Sequence, residues 1–356
     1  MLAFSCPVCA RLVTFQAVSC LNCGSGLAYD PATQSIRRTD ESGVGRLCAN
    51  ASLVGCNWLA TLPGELCESC ALTRTRPADS EQAELARFAE AESAKRWLLF
   101  ELHDLGLPVE GRGQRENGLA FDLLSSRREP VTTGHADGVI TLDLAEADPA
   151  SREPRREQLG ERYRTVLGHL RHEIGHYYQP ILVPERSGAE AAMREHFGDE
   201  RLDYGEAMDA YYRDGPPSDW QERFVSAYAS MHPWEDWAET FAHYLHIRDT
   251  SQTAVAYGVT VSGPSIPLAG EAPLHSRPLD PLSDVRGALE AWIPLTFALN
   301  QISRSMGQPD TYPFVLPAPA LEKLRFIGGL IVDAGAPAPA PGPGGGERRS
   351  SPQAAR

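Results

Sequence analysis

The run His172-Glu173-Ile174-Gly175-His176 sets two imidazoles four residues apart with a carboxylate beside the first. On a helix, positions i and i+4 share a face, so both rings would meet one metal ion, zinc above all. A catalytic zinc takes three protein ligands and keeps one position for water, whose pKa it lowers to about 7. His172 and His176 supply two of the three. The third should come from another element, and the segment after Pro233 offers Glu235, Asp236, Glu239, His243 and His246. At about 100° per residue, Glu235, Glu239 and His246 fall within roughly 40° of one another, while Asp236 and His243 point further toward solvent.

Glu235 is therefore expected as the third ligand, with Glu239 holding the other ring nitrogen of a ligand histidine. Exchange of those two roles stays open, as does a plainer one for Glu239 as an i, i+4 partner of His243 on an exposed face. Glu173 would be the general base that takes a proton from water and returns it to the leaving amine. Tyr228, seven residues before Glu235, is the candidate for stabilising an oxyanion, core packing being its alternative. His169 is expected outside the coordination sphere, and His243 and His246 on a polar helix face.

A second chemistry sits at the other end of the chain. All eight cysteines, Cys6, Cys9, Cys20, Cys23, Cys48, Cys56, Cys67 and Cys70, fall within the first 70 residues. Three C-x-x-C knuckles supply paired soft ligands from tight turns, the signature of closed structural zinc sites. Eight ligands for two structural zinc ions are expected. The spacing leaves the partition between the two sites open.

The elements that must carry these residues are legible in part. Between Arg162 and Tyr178 apolar side chains at Tyr163, Val166, Leu167, Leu170 and Ile174 follow helical spacing. Trp234, Trp237, Ala238, Phe241, Ala242 and Leu245 do the same after Pro233, an allowed first-turn proline. A long helix is expected over Glu84 to Leu105, with Asp79 as its N-cap and Gly106 ending it. Gly118 to Leu124 and Gly138 to Leu144 read as short strands. A Gly/Pro/Ser-rich loop over Ser251 to Pro281 precedes a helix over Asp284 to Met306, which Pro294 should kink or break.

Composition sets bounds. The chain has 356 residues and a net charge of -14 from 33 basic and 47 acidic residues. That balance argues against a general polyanion binder, although Arg37, Arg38, Arg74 and Arg76 make the N-terminal region locally basic. No apolar run is long enough for a membrane span and no leader is evident, so a cytoplasmic location without membrane partners is expected.

With these motifs in view, Leu47-Cys48-Ala49-Asn50, Leu66-Cys-Glu-Ser-Cys-Ala-Leu-Thr-Arg-Thr, Gly118-Leu-Ala-Phe-Asp, Arg171-His-Glu-Ile-Gly-His-Tyr-Tyr and His232-Pro-Trp-Glu-Asp-Trp-Ala-Glu together resemble a bacterial family of zinc-binding metallopeptidases with an N-terminal zinc ribbon. The resemblance runs from about Phe4 to Val332. More distantly, Tyr228 with Glu235-Asp-Trp-Ala-Glu239 resembles the third-ligand segment of gluzincin peptidases, which favours Glu235 over Glu239. The wider group implies a peptide substrate extended along an edge strand, and Gly138 to Leu144 is the candidate for it.

The expected class is α+β: a small β-rich zinc ribbon over residues 1–78, then a mostly helical zincin-like domain with a short sheet over 79–333. A disordered Pro/Gly-rich tail is expected over 334–356. The leading function is a zinc-dependent peptidase with one catalytic zinc and a peptide or protein substrate, its ribbon stabilising the fold or recruiting a protein partner. The alternative is a zinc-ribbon adaptor whose metallopeptidase-like domain is not proteolytic.

Overall fold

A computed structural model describes residues 2–40, 46–127, 129–152, 164–184, 188–261 and 285–335. The cysteine-rich segment is built from short antiparallel pairs: β1 (Phe4–Ser5) with β2 (Leu12–Val13), β3 (Leu27–Asp30) with β4 (Ser35–Arg38), and β5 (Arg46–Leu47) with β6 (Leu59–Ala60). Helical turns α1 (Ala51–Val54) and α2 (Glu68–Ala71) complete it. Strands of two to four residues cannot bury a core alone, so cross-links between loops must hold such a unit.

The following strand, β7 (Thr73–Thr75), starts three residues past Cys70 and pairs in parallel with β8 (Ala120–Leu124), which lies beyond helix α3 (Gln82–Asp104). The cysteine-rich segment thus runs straight into the second sheet. The two regions also share one hydrophobic core. Phe15 meets Trp97 at 5.4 Å and Phe100 at 5.0 Å between ring centroids, and Phe4, Tyr29 and Trp58 close the same cluster. Edge-to-face aromatic pairs of this kind are each worth about 0.5–1.5 kcal/mol beyond burial.

The sheet has the order β7-β8-β10-β9, with β9 (Gly134–Ala136) antiparallel to β10 (Val139–Asp143) and β10 parallel to β8. Asp137 and Gly138 join β9 to β10, with φ of 48° and 79°. Two positive φ values match a hairpin turn of the type I′ class, whose twist suits the flanking strands. A Cβ on Gly138 would lie 2.0 Å from the Asn117 carbonyl oxygen, so no other residue fits. This hairpin corrects the expected edge strand: β10 lies inside the sheet, and β7 and β9 are its edges among the described residues. The Asp137-Gly138 pair just before Val139 and Ile140 was the signal for it.

Helix α4 (Val166–Leu182) carries the His-Glu motif, with Thr165 Oγ1 accepting from Gly168 N at 2.9 Å as its cap. Its expected first residues, Arg162 and Tyr163, lie outside the described residues. Helices α5 (Ala189–Phe197) and α6 (Tyr204–Asp214) occupy the charged segment that follows, and α7 (Pro233–Ala256) crosses α4. The expected loop from Ser251 therefore starts later, because Ser251 and Gln252 are buried in the last turns of α7. Residues 262–281 of that loop lie outside the described residues.

Helix α8 (Val285–Ser305) runs through Pro294 as one element, since Leu289, Trp292 and Leu295 are buried on both sides of it and outweigh one lost backbone bond. Helix α9 (Ala318–Gly335) extends past Asp333, and the tail from residue 336 lies outside the described residues. Helix α3 is capped at Glu81 and not Asp79, whose carboxylate pairs with Arg76. The architecture is α+β as expected, a cysteine-rich ribbon followed by a mostly helical domain with a small sheet.

Candidate metal centre

The approach of α4 and α7 decides the site. Gly175 makes it close: a Cβ there would sit 3.0 Å from Ala238 Cα and 3.1 Å from Phe241 Cβ. Trp237 Nε1 donates to the Gly175 carbonyl at 2.9 Å, and Tyr178 stacks on Phe241 at 5.8 Å. The contact fixes the rotation of both helices, so His172 and His176 on α4 face the first turn of α7. That turn starts at His232, whose Nδ1 accepts from Trp234 N at 3.1 Å.

His172 Nε2 lies 3.0 Å from Glu235 Oε2, and His176 Nε2 lies 3.5 Å from Glu235 Oε1. The candidate ligand atoms of these three residues all lie within 4.8 Å of one another. Glu235 Oε2 is buried and has no hydrogen-bond partner among the described residues despite its short distance to His172. An unsatisfied carboxylate oxygen aimed between two imidazole nitrogens fits a cation better than a proton. Two imidazoles and a carboxylate are also a donor set suited to zinc with an open position.

Glu239 sits one turn further along α7. Its Oε1 is 2.8 Å from His172 Nδ1, and its Oε2 accepts from Ser226 Oγ at 2.6 Å. That bond leaves His172 Nε2 facing Glu235. Burial would raise the Glu239 pKa, but the His172 hydrogen bond outweighs it and brings the carboxyl to about 2. Burial likewise opposes ionisation of Glu235, and His172 and His176 overcome it and hold that carboxyl well below the usual range. Glu173, also buried, goes the other way: desolvation raises its pKa against the pull of both histidines.

Tyr228 lies in the site, its ring 6.1 Å from His172, and burial with the nearby Glu235 charge pushes its hydroxyl pKa well up. Tyr204, on the first turn of α6, donates to Glu235 Oε1 at 3.0 Å. Nothing in the sequence singled out Tyr204 or Ser226: Tyr204, Ala207, Met208, Tyr211 and Tyr212 are helically spaced, but such spacing does not say what the helix packs against. His169 stays outside the cluster, near Glu146, and burial brings its pKa down to about 4.

Three expectations for α7 are overturned. Asp236 does not face solvent: it is 1 % exposed and bonds to Lys323 Nζ of α9 at 2.6 Å. His243 and His246 are buried too. His243 Nδ1 meets the Tyr312 hydroxyl at 2.6 Å and His246 Nδ1 meets Arg171 Nη1 at 2.6 Å. Trp234, counted with the apolar face, is 40 % exposed and stands over His176 at 5.5 Å. Helices α8 and α9 with the segment around Tyr312 cover what would otherwise be the outer face of α7, which helical periodicity alone cannot foresee.

The cysteines form two groups in chain order, Cys6, Cys9, Cys20, Cys23 and Cys48, Cys56, Cys67, Cys70. Sγ atoms lie 3.7 Å apart for Cys6 and Cys23, and 3.6 Å apart for both Cys9 with Cys20 and Cys56 with Cys67. A tetrahedron with Zn–S of about 2.3 Å has edges of about 3.8 Å, so both groups fit a tetrathiolate site. Backbone N–H groups of Asn50 and Cys67 donate to Cys48 Sγ at 3.4 and 3.3 Å, stabilising thiolate charge. The Cys48 contact opposes ionisation of Cys56, but the contacts with Cys67 and Cys70, helped by the charge of buried Arg96, outweigh it and lower the Cys56 pKa.

Helix, sheet and donor sets together define a zinc-binding protein of the metallopeptidase class. Residues 84–330 match a family described as "Putative zinc-binding metallo-peptidase", and residues 3–81 match a zinc-ribbon domain. The chain belongs to this metallopeptidase family. It is similar to uncharacterized proteins of Mycobacterium bovis and Mycobacterium tuberculosis, each 49 % identical over 337 residues, covering 94 % of this chain and 96 % of theirs. No solved structure matches the chain significantly. Among the described residues no helix is long and apolar enough to cross a membrane.

Proposed function

We propose that this protein is a zinc-dependent peptidase of gluzincin type, with His172, His176 and Glu235 as ligands and Glu173 as general base. The observation that carries the reading is Glu173 itself, a buried carboxylate beside the ligand cluster whose pKa burial raises. A purely structural site has no use for it. Zinc would supply Lewis acidity, making a water nucleophilic at neutral pH. Glu173 would take that water's proton and pass it to the leaving nitrogen. Tyr228, whose ring lies 6.1 Å from that of His172, would donate its hydroxyl to a developing oxyanion, while Tyr204 would hold the Glu235 carboxylate through its own hydroxyl. The outer edge of β9, unpaired among the described residues, would pair with an extended peptide.

Glu239 would hold the His172 ring, and the eight cysteines would hold two structural zinc ions, for three in all. The test is zinc stoichiometry paired with hydrolysis of a mixed peptide library. Three zinc ions in the wild type, two in a His172→Ala, His176→Ala double variant, and retained metal with lost cleavage in Glu173→Gln are the expected results. Two zinc ions in the wild type, unchanged by the double substitution, would sink the proposal.

A second reading, an adaptor acting through its ribbon, has one observation in its favour. Val8, Leu12, Val18 and Leu21 are all exposed around the first cysteine group. Full zinc loading without hydrolysis of any library peptide would favour it.

A further inference from the structure

Each metal-binding imidazole ordinarily donates its other ring N–H to a partner that fixes the tautomer and orients the ring. His172 has Glu239 for this. His176 presents Nε2 to Glu235, which leaves its proton on Nδ1, yet Nδ1 is buried with no hydrogen-bond partner among the described residues. Leaving a buried donor unpaired is destabilising.

A second orphan lies beside it. Nε2 of His135, on edge strand β9, is likewise buried and has no partner among the described residues. The two rings are nearly parallel, 14° apart in plane, with centroids 6.5 Å apart. A direct in-plane N–H···N bond would bring the centroids to about 5 Å, whereas one water bonded to both nitrogens puts them at about 6–7 Å. The observed 6.5 Å is too long for a direct bond and within the reach of a bridged one. His135 is also held in place: it is in register with buried Ile140 of β10 on the sheet face turned to α4, and its ring packs edge-on against Tyr177 at 6.1 Å.

We propose that His135 is the outer partner of His176, with His176 Nδ1–H donating to a water that in turn donates to His135 Nε2. His135 is thus a positioning residue, and it ties the strand proposed to receive substrate to a metal ligand. Ordering β9 would then orient the ring that binds zinc.

This inference rests on His176 as a zinc ligand, so the test reads metal affinity and not turnover. In the full chain with its cysteine sites loaded, zinc affinity of the third site is measured by competition with a chromogenic chelator for wild type, His135→Ala, His135→Phe and His135→Gln. Thermal unfolding after chelation of the third site checks that each variant folds. His135→Phe keeps the packing on Tyr177 without the nitrogen, and His135→Gln restores a polar group. Expected is a loss of about 10–100-fold for Ala and Phe, with Gln within about 3-fold of wild type. A Phe variant that binds as tightly as wild type, or a Gln variant no better than Phe, overturns the inference alone. A wild-type chain with no zinc beyond the cysteine sites overturns it together with the proposed function.

Discussion

Glu239 Oε1 stands 2.8 Å from Nδ1 of His172, on the opposite side of the ring from Glu235. The ring is gripped from both ends by two carboxylates one turn apart on α7. Replacing Glu239 with Ala leaves Nδ1 unpaired and Ser226 Oγ without its acceptor. Zinc affinity at the third site should fall by about 10–100-fold, read by chelator competition, while the cysteine-bound ions stay.

Gly175 offers a purely steric test. In Gly175→Ala the new methyl meets backbone of Ala238 and Cβ of Phe241, neither of which is a flexible side-chain end. Overpacking at such a helix crossing costs about 1–3 kcal/mol. Denaturant unfolding of the variant should show that loss, and spreading of α4 from α7 should weaken zinc binding with it. An unchanged midpoint would mean that the helices separate freely.

The cysteine sites should govern global stability, because α2 leads directly into β7 and the aromatic cluster joins the ribbon to α3. A chelator of moderate strength should remove the third zinc with the near-ultraviolet circular dichroism unchanged. A mercurial that displaces zinc from thiolates should collapse that signal for the whole chain. Release of the cysteine-bound zinc with the Trp237 environment intact would show that the ribbon unfolds alone.

Stability should fall in mild acid. Burial holds the His243 pKa down to about 4, against about 6.5 in an unfolded chain. Between those values the unfolded state binds a proton that the folded state does not, so unfolding free energy rises with pH. The stability is complete above about pH 6.5 and is lost as pH drops toward 4. His246, which burial also pushes well down, adds in the same direction. From pH 7.5 to 5, His243 alone should account for a loss of about 2 kcal/mol, and His243→Asn should flatten that part of the profile. Urea midpoints at the two pH values decide it.

The buried Lys323–Asp236 pair gives a further case. Lys323→Met would leave a carboxylate at 1 % exposure without its cation. Removing one partner of a buried pair costs about 3–5 kcal/mol, so a clear fall in Tm is expected, largely restored by adding Asp236→Leu.

How much of this was legible beforehand follows from what each signal depends on. Helices α3, α4 and α7 were readable because periodic apolar residues report a local property, the one face a helix must bury. The His172, His176, Glu235 cluster was readable because i, i+4 spacing and the first turn after Pro233 fix directions within each helix. The eight cysteines were readable as ligands by type and spacing, but their division into two groups in chain order was not, since it depends on how the short hairpins stack.

Tertiary structure alone decided the rest. Asp236 and His243 looked solvent-facing, and His246 looked part of a polar helix face, until α8, α9 and the Tyr312 segment covered that side of α7. Tyr204, Ser226 and His135 reach the site from segments whose local pattern names no partner, and only chain closure brings them there. The sequence by itself determined which residues could bind metal, because that is a matter of side-chain chemistry and local geometry. Which groups orient and neutralise those residues was set by long-range packing, because hydrogen-bond partners and burial belong to neighbours distant in the chain.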